Sequence, residues 1–484
     1  MDWDICNEFD EIDTGDLRLD KRCSQTFRKL TDNPNASITQ AMCGGRADID
    51  GTYRLFNNSK ATWDKILQPH FGKTAKRCAQ QEIVLCPQDT TELDFTRPQQ
   101  QVAGAGPLNG PSRRGAFLHY TAAYTPDGIP LGCLAAEIWT REDPDPDAPK
   151  LSDAEKRKIR LNTPIEEKES GRWPRSFHAV KKVASDCPDT TYVSLCDSEG
   201  DIFELLIQPR TSNFHWIIRA GQDRVAFDEN GDSPGVIRDL LLASPVLFTN
   251  QLTVRAREQK VTCETSPRRV TRITRQAMVE VRACAVTLNT PARFRRKIVG
   301  RVTPNAVLVR EMNPPEGEPP IEWILLTTLP ITTAGEVAAI VQYYTMRWKI
   351  EVYFRTLKTG CRVEDRRFET IERMLACTAL YMVVAWRTLL VCCLGRACPD
   401  LDCDAIFDTS EWQSVMAVLY PGKPLPKKPP KLHVMIRHVA SLGGYIDRPD
   451  RPDPPGVETV WRGIQRTHDL AWAWDTFGPG AKAF

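Results

Sequence analysis

Three acids stand where an acid is costly. Asp89 comes three residues after the apolar run 83–86, Asp197 directly follows the apolar run 192–196, and Glu351 lies on the polar side of a helical pattern. Carboxylates at the ends of buried strands are unfavourable unless paired or bound to a cation. Two strand acids joined by one helical acid suit hard divalent metals, because magnesium takes a few carboxylates together with phosphate oxygens. Two such ions about 4 Å apart can activate water and stabilise the leaving oxygen in phosphodiester cleavage. Plainer readings stand beside this one. Asp at a strand end is a common turn residue, and Glu351 could accept from Arg347 or Arg355 one turn away, worth only about 0.3–0.5 kcal/mol.

The stretch "YYTMRWKIEVYFRTLKTG" (343–360) must carry the third acid. At about 100° per residue, Tyr344, Arg347, Glu351 and Lys358 project within about 60° of one another. Met346, Ile350, Tyr353 and Leu357 form the opposite, core-facing stripe. Thr333 and Glu336 are spaced as a capping box, and Gly360 is a candidate stop. The interval reads as one long helix, or as two with a break near Tyr344 and Thr345. A phenol, a guanidinium, a carboxylate and an ammonium on one face suit a phosphate-bound metal centre better than simple salt bridging.

Composition bounds the rest. The chain has 484 residues, 41% apolar and 26% charged, with 64 basic against 62 acidic side chains. That is a globular composition spread over more than one core. A net charge of +2 excludes a uniformly basic nucleic-acid wrapper but leaves room for local basic patches, at 267–275, 293–301 and 424–438. The sixteen cysteines sit mostly inside apolar runs without C-x-x-C pairs. Together with an acidic opening that lacks an apolar h-region, this predicts reduced thiols in a cytoplasmic compartment. The longest apolar segment, 374–386, is too short for a bilayer, meets Arg387 at once and reads as a buried helix; no membrane partner is expected.

Along the chain, 1–70 reads as small helices bearing exposed basic residues, either a solvated cap or a DNA-contacting module. Strand patterns cover 81–95, 115–125 and 129–140, the last two joined by the turn Pro126-Asp127-Gly128. A helix at 172–184 and a strand, turn and helix at 191–206 complete an α/β pattern with a mixed sheet. Residues 222–325 are a β-rich insertion, and 371–484 are helical. The expected domains are therefore 1–70, 71–370 and 371–484.

The motifs together resemble the bacterial cut-and-paste DNA transposases of insertion-sequence family four, which carry a DDE triad, and within them the transposon-five type. The family signature Y-x-x-R-x-x-x-E-x-x-x-x-x-x-K is matched in full by Tyr344, Arg347, Glu351 and Lys358. The first acid stands in "QDTTEL" at Asp89 and the second in "CDSEGDI" at Asp197. Trp323 in "EWILLTTLP" precedes Tyr344 by 21 residues, and Arg219 in "HWIIRAG" follows the second acid by 22. The resemblance extends to "GDLRLDKR" and "GTYRLFNN" near the start and "ASLGGYID" (440–447) near the end, although a position basic in the relative is Leu19 here.

The resemblance implies a ribonuclease H-like catalytic core with a β-rich insertion, flanked by an N-terminal end-binding helical domain and a C-terminal helical dimerisation domain. Asp89, Asp197 and Glu351 would be catalytic and would hold two Mg2+ or Mn2+ ions. DNA would be bound by Tyr344, Arg347, Lys358, Trp323 and Arg219, and by Arg18, Arg22 and Arg54 in the N-terminal module. Trp323 would receive an unstacked base, although a Trp on an apolar strand also reads as core. His119 is a near-site candidate or a structural strand histidine. The partners implied are double-stranded DNA, as transposon ends and as target, and a second copy of the chain, in bacterial cytoplasm at the nucleoid. The amphipathic segment 434–445 is a candidate dimer surface. Three other classes share these residues: a nuclease of the same fold that does not join strands, a DNA-binding regulator derived from a transposase, and a metal-dependent phosphatase of small molecules, against which the basic patches and Trp323 speak. Joining of a pre-cut end separates the first, and indifference to Asp89→Ala the second.

Overall fold

The computed structural model describes residues 7–42, 45–147, 149, 151–228, 234–254, 274–291, 300–318, 320–448 and 454–479, with the backbone of the strands Arg257–Cys263 and Ser266–Arg272. Most of the basic patch at 293–301 lies outside the described residues. The chain forms two compact units, one of Met1–Val84, Thr90–Ala148 and Trp348–Phe484, the other of Leu85–Asp89 and Pro149–Arg347. Mixed α/β structure is observed, as expected.

In the first unit the N-terminal helices Leu17–Asp32 and Arg46–Phe56 share one core with the helix Ile371–Ala397 and the hairpin Arg114–Tyr124/Pro130–Trp139. Gly128 takes φ +89° in the hairpin turn and donates its N–H to Thr125, as a Pro-Asp-Gly sequence favours. The Ile371–Ala397 helix is longer than the apolar run read from sequence and continues through Arg387. By length and composition it could cross a membrane, yet 89% of its most apolar window is buried inside the protein. It is the axis of a core.

Arg387 is tolerated there because it faces carboxylates, Asp32 and Glu411. Burial raises Glu411 from its ordinary 4.5 to about 7, with Asp408 and Asp32 adding repulsion that Arg387 only partly offsets. A folded-state value above the unfolded one means stability that is complete below pH 4.5 and lost as pH rises through 7. Glu411→Gln, neutral at every pH, is therefore expected to raise unfolding free energy by about 1–3 kcal/mol at pH 8, the gain shrinking toward pH 4.5. Denaturant titrations across that range test it; a pH-independent gain would contradict it.

Further along, helices Leu432–Leu442 and Val457–Phe477 touch backbone to backbone. A Cβ at Gly463 would lie 1.8 Å from the Val439 carbonyl oxygen, and one at Gly443 1.8 Å from that of Thr459. The apolar stripe Leu432, Met435, Ile436 and Val439 is buried within the chain itself. Amphipathicity here therefore serves internal packing, and the exposed apolar side chains of this region include Ile446 between the helices and Trp472 and Phe477 on the last one.

The second unit is built on a mixed sheet. The strand Ile83–Asp94 contributes residues 85–89 beside Thr191–Cys196, which runs parallel to Phe214–Arg219. Three antiparallel additions follow: Glu322–Thr327, Asn305–Glu311 and Arg275–Ala285, with Phe248–Val254 at the edge. Leu85, Cys86, Val193, Leu195, Ile217 and Leu325 are fully buried. The helix Ala334–Thr345 begins with the expected capping box, Thr333 and Glu336 exchanging bonds of 2.9 and 3.2 Å.

Candidate active site

The signature stretch is not one helix. After Ala334–Thr345 the chain makes a 3-10 turn at Met346–Trp348, resumes as Lys349–Arg355 and widens into a π turn at Thr356–Gly360. The break read near Tyr344 and Thr345 is real and lies just after them. Tyr344 is buried, at 5% exposure, instead of lying on a wet face. Ile350, Tyr353 and Leu357 fill the core stripe as expected, while Met346 is only half-buried. Gly360 ends the π turn for a packing reason, since a Cβ there would press on the Trp461 ring at 3.0 Å.

Six of the candidate residues belong to the second unit: Asp89, Asp197, Arg219, Trp323, Tyr344 and Arg347. Asp89 does not end its strand as expected but lies within Ile83–Asp94, just past its buried half, and accepts a hydrogen bond from Arg347 Nη1 at 3.1 Å, an ion pair with both side chains under a fifth exposed. Its neighbour Gln88 is buried and donates to Ser194 Oγ at 2.9 Å, tying the first acid's strand to the strand that delivers the second. Between the acids lies the buried Cys196 thiol, pushed up by burial and further by the charges of Asp197 and Asp89. Tyr344 is raised to about 12, first by burial; Arg347 and Arg219 draw it down and Asp197 pushes it up. Trp323 packs against Val254, Ala277 and Ile321 and meets Tyr344 edge-on, ring centroids 5.5 Å apart. The tryptophan is thus half core and half site.

Asp197 itself caps a short turn, Oδ1 accepting from the Glu199 N–H at 2.8 Å. The turn is held by residues that sequence reasoning passed over. Asp201 is buried and accepts from Arg224 at 2.6 Å and from the Gly221 N–H at 2.9 Å, and Arg172 donates to Glu199 at 2.7 Å. Asp201 stands inside the quoted "CDSEGDI", so the signal was present; its partner Arg224 had none.

The first unit carries the other candidates. Glu351 is half-buried on Lys349–Arg355. Lys358 is lowered by burial and sits 3.8 Å from Glu364, whose carboxylate also accepts from the Asp94 N–H at 2.9 Å. His119 is fully buried and hydrogen-bonds Thr90 Oγ1 at 2.9 Å. Of the N-terminal arginines, Arg18 is 94% exposed and Arg54 exposed, but Arg22 is held by Asp48 at 2.8 Å, packed beneath Gly51.

The donor set fits magnesium or manganese in kind, being all carboxylate oxygen. Among the described residues no three His, Cys, Asp or Glu are already gathered as a metal cage.

Comparison with known proteins gives three family matches along the chain. Residues 1–61 match the Transposase DNA-binding family, 196–383 the Transposase DDE domain and 383–471 the Transposase Tn5 dimerisation domain. Among solved structures, a cryo-EM structure of the piggyBac transposase synaptic complex with hairpin DNA aligns at 10% identity with a TM-score of 0.31, over 80% of this chain and 63% of that one. The chain therefore spans less than two thirds of that relative. The DDE domain is built on a ribonuclease H-like core, which the mixed sheet of the second unit fits. A transposase DNA-binding module, a DDE domain and a Tn5 dimerisation module thus succeed one another along the chain, and together they match a Tn5-like DDE transposase.

Proposed function

We propose that this protein is a DNA transposase that cuts transposon ends by hydrolysis, closes and reopens a DNA hairpin, and joins the 3′ ends to target DNA. The observation that carries the reading is the gathering, within one unit, of two acids, two arginines, a buried tyrosine and a half-buried tryptophan. Asp89, Asp197 and Glu351 would hold two Mg2+ or Mn2+ ions, which when bound supply an activated water and stabilise the leaving oxygen. Arg347, now paired with Asp89, can grip a phosphate as a planar fork, and Lys358 as a point charge. Desolvation lowers Lys358, so its ammonium gains from an anion closer than Glu364. Tyr344 and Arg219 donate to phosphate oxygens. Each step is an in-line displacement at phosphorus: water frees a 3′ hydroxyl, that hydroxyl attacks the opposite strand, water reopens the hairpin, and the hydroxyl attacks target.

The domains follow. Residues 1–70 bind the ends, through Arg18 and Arg54 with Arg22 shaping the helix pair; 71–370 carry the chemistry, with the insertion at about 222–325; 371–484 dimerise. The exposed Trp472 and Phe477 suit that interface. The protein acts at the nucleoid of a bacterial cytoplasm.

Incubation with the DNA flanking its own gene, magnesium and a supercoiled target tests the reading: hairpinned ends and joined product are expected, and nicks alone would defeat it. Base stacking on an aromatic ring is worth about 1–3 kcal/mol. Trp323→Ala is accordingly expected to slow hairpin formation about ten-fold while first-strand nicking is unchanged. Gel kinetics separate the two steps, and equal slowing of both would assign Trp323 to the core.

A further inference from the structure

Four residues beyond Asp197 stands a second aspartate that the chemistry above does not use. Asp201 closes the turn Ser198–Gly200, its N–H donating to the Ser198 carbonyl at 3.3 Å. Its side chain is 1% exposed and meets the Arg224 guanidinium, itself 11% exposed, at 2.6 Å. The same Arg224 nitrogen, Nη2, also donates to the Asp201 carbonyl oxygen at 2.7 Å. One arginine therefore holds both the side chain and the backbone of the residue that ends the turn.

The turn is seated closely on its other sides. The Gly221 N–H donates to Asp201 Oδ2 at 2.9 Å, and a Cβ at Gly221 would lie 2.9 Å from the Ser198 carbonyl oxygen. A Cβ at Gly200 would lie 2.6 Å from Cys196 Cβ, on the strand that delivers Asp197. Asp197 Oδ1 takes its hydrogen bond from the Glu199 N–H inside this turn, so the direction of the Asp197 carboxylate is set by where the turn sits. Arg224 is fixed in its own right. Its carbonyl accepts from the Ile237 N–H at 3.1 Å, at the start of the helix Ile237–Ala243, whose Ile237 and Leu241 are fully buried. The next residue, Arg238, pairs at 3.0 Å with Glu322, the neighbour of Trp323 in its strand.

Stability alone is a poor account of this pair. A buried ion pair loses hydration on both partners, and apolar replacements are often as stable. Arg224 Nε is in addition buried with no hydrogen-bond partner among the described residues, and an orphaned donor is unfavourable. What the pair supplies is a fixed position for the end of the turn.

We propose that Asp201 and Arg224 are a positioning pair for the second acid: they set the Asp197 carboxylate for a divalent cation while touching neither the cation nor DNA. The proposal rests on the reading of Asp197 as a metal-holding acid. Groups that orient a metal ligand in this way change metal affinity or activity by about 10–100-fold when replaced.

The test titrates Mn2+ into the full chain bound to a pre-cut terminal duplex that lacks its 3′ hydroxyl, so that no reaction follows, and counts the free ion by its paramagnetic resonance. Asp201→Asn and Arg224→Met are each expected to weaken Mn2+ binding about ten-fold or more, and the double variant no further, because the pair acts as a unit. Arg224→Lys, which keeps the charge but not the fork, should lie between. The double variant, which leaves no buried charge unpaired, should match the wild type in melting and in metal-free affinity for the duplex. On uncut ends its half-maximal Mn2+ concentration should rise about ten-fold, while saturating Mn2+ restores most of the rate. Wild-type Mn2+ affinity in the folded double variant would overturn the proposal. Losses that add in the double variant would overturn the pairing, and a parallel fall in melting or duplex affinity would make the role structural. A wild-type protein that binds no Mn2+ would refute the metal reading itself. Mn2+ binding that depends on the pair, in a protein that joins no ends, would defeat strand transfer and leave the pair standing.

Discussion

Asp197→Asn is expected to lower cleavage of transposon ends by about 10^3-fold or more, with end binding nearly unchanged. The substitution is nearly isosteric, and its remaining side-chain oxygen can still accept the Glu199 N–H that Asp197 Oδ1 now caps at 2.8 Å. The turn should therefore survive, and what disappears is one negative charge. Asp89→Asn should fall as far but is the less clean experiment, because it also weakens the pair with Arg347 at 3.1 Å. Glu351→Gln completes the set from the other unit. Single-turnover cleavage of labelled ends, with thermal melting as the fold control, reads the effect. A rate within ten-fold of wild type for any of the three would remove that acid from the chemistry.

Much of this site was legible because its residues obey two local rules at once. Asp197 directly follows its apolar strand, Asp89 stands where the buried half of Ile83–Asp94 gives way to half-buried residues, and the Thr333/Glu336 box starts its helix where the spacing said. What sequence could not give was phase and partnership. A regular 100° rotation put Tyr344 on a wet face, but the 3-10 turn at Met346–Trp348 and the π turn at Thr356–Gly360 interrupt that rotation, and Tyr344 is buried. Arg22 looked like a free basic residue until its carboxylate partner, Asp48, was brought to it by a helix 26 residues away. Amphipathicity at 434–445 signalled burial without saying against what. Ion pairs such as Asp201 with Arg224 depend on chain reversals that no spacing encodes.

The same dependence on distant partners makes Glu8 the most vulnerable point of the N-terminal module. Its carboxylate is 1% exposed and bound to His70 Nδ1 at 2.5 Å and to Arg77 at 3.0 and 3.1 Å. The Cys133 N–H donates to His70 Nε2, so the imidazole is neutral and gives its Nδ1 proton to Glu8. Arg77 also lies over the Trp386 ring at 4.4 Å. One acid thus fastens the segment before the first helix to the Trp63–Cys78 helix, the Pro130–Trp139 strand and the central Ile371–Ala397 helix. Burial alone would raise this carboxyl, but His70 and Arg77 hold it at about 2. A value depressed from the ordinary 4.5 means stability that is present above pH 4.5 and lost as pH falls toward 2. Glu8→Ala leaves a buried guanidinium unpaired and is expected to cost about 3–5 kcal/mol at pH 7, a large share of a typical folding free energy. Glu8→Gln, which keeps an acceptor but not the charge, should fall between. Urea titrations at neutral pH measure both, and the gap between wild type and the Ala variant should narrow below pH 4.5. A cost under 1 kcal/mol for Glu8→Ala would mean that the N-terminal module is held by its apolar residues, Phe9 and Phe27 foremost, and that this buried network contributes little.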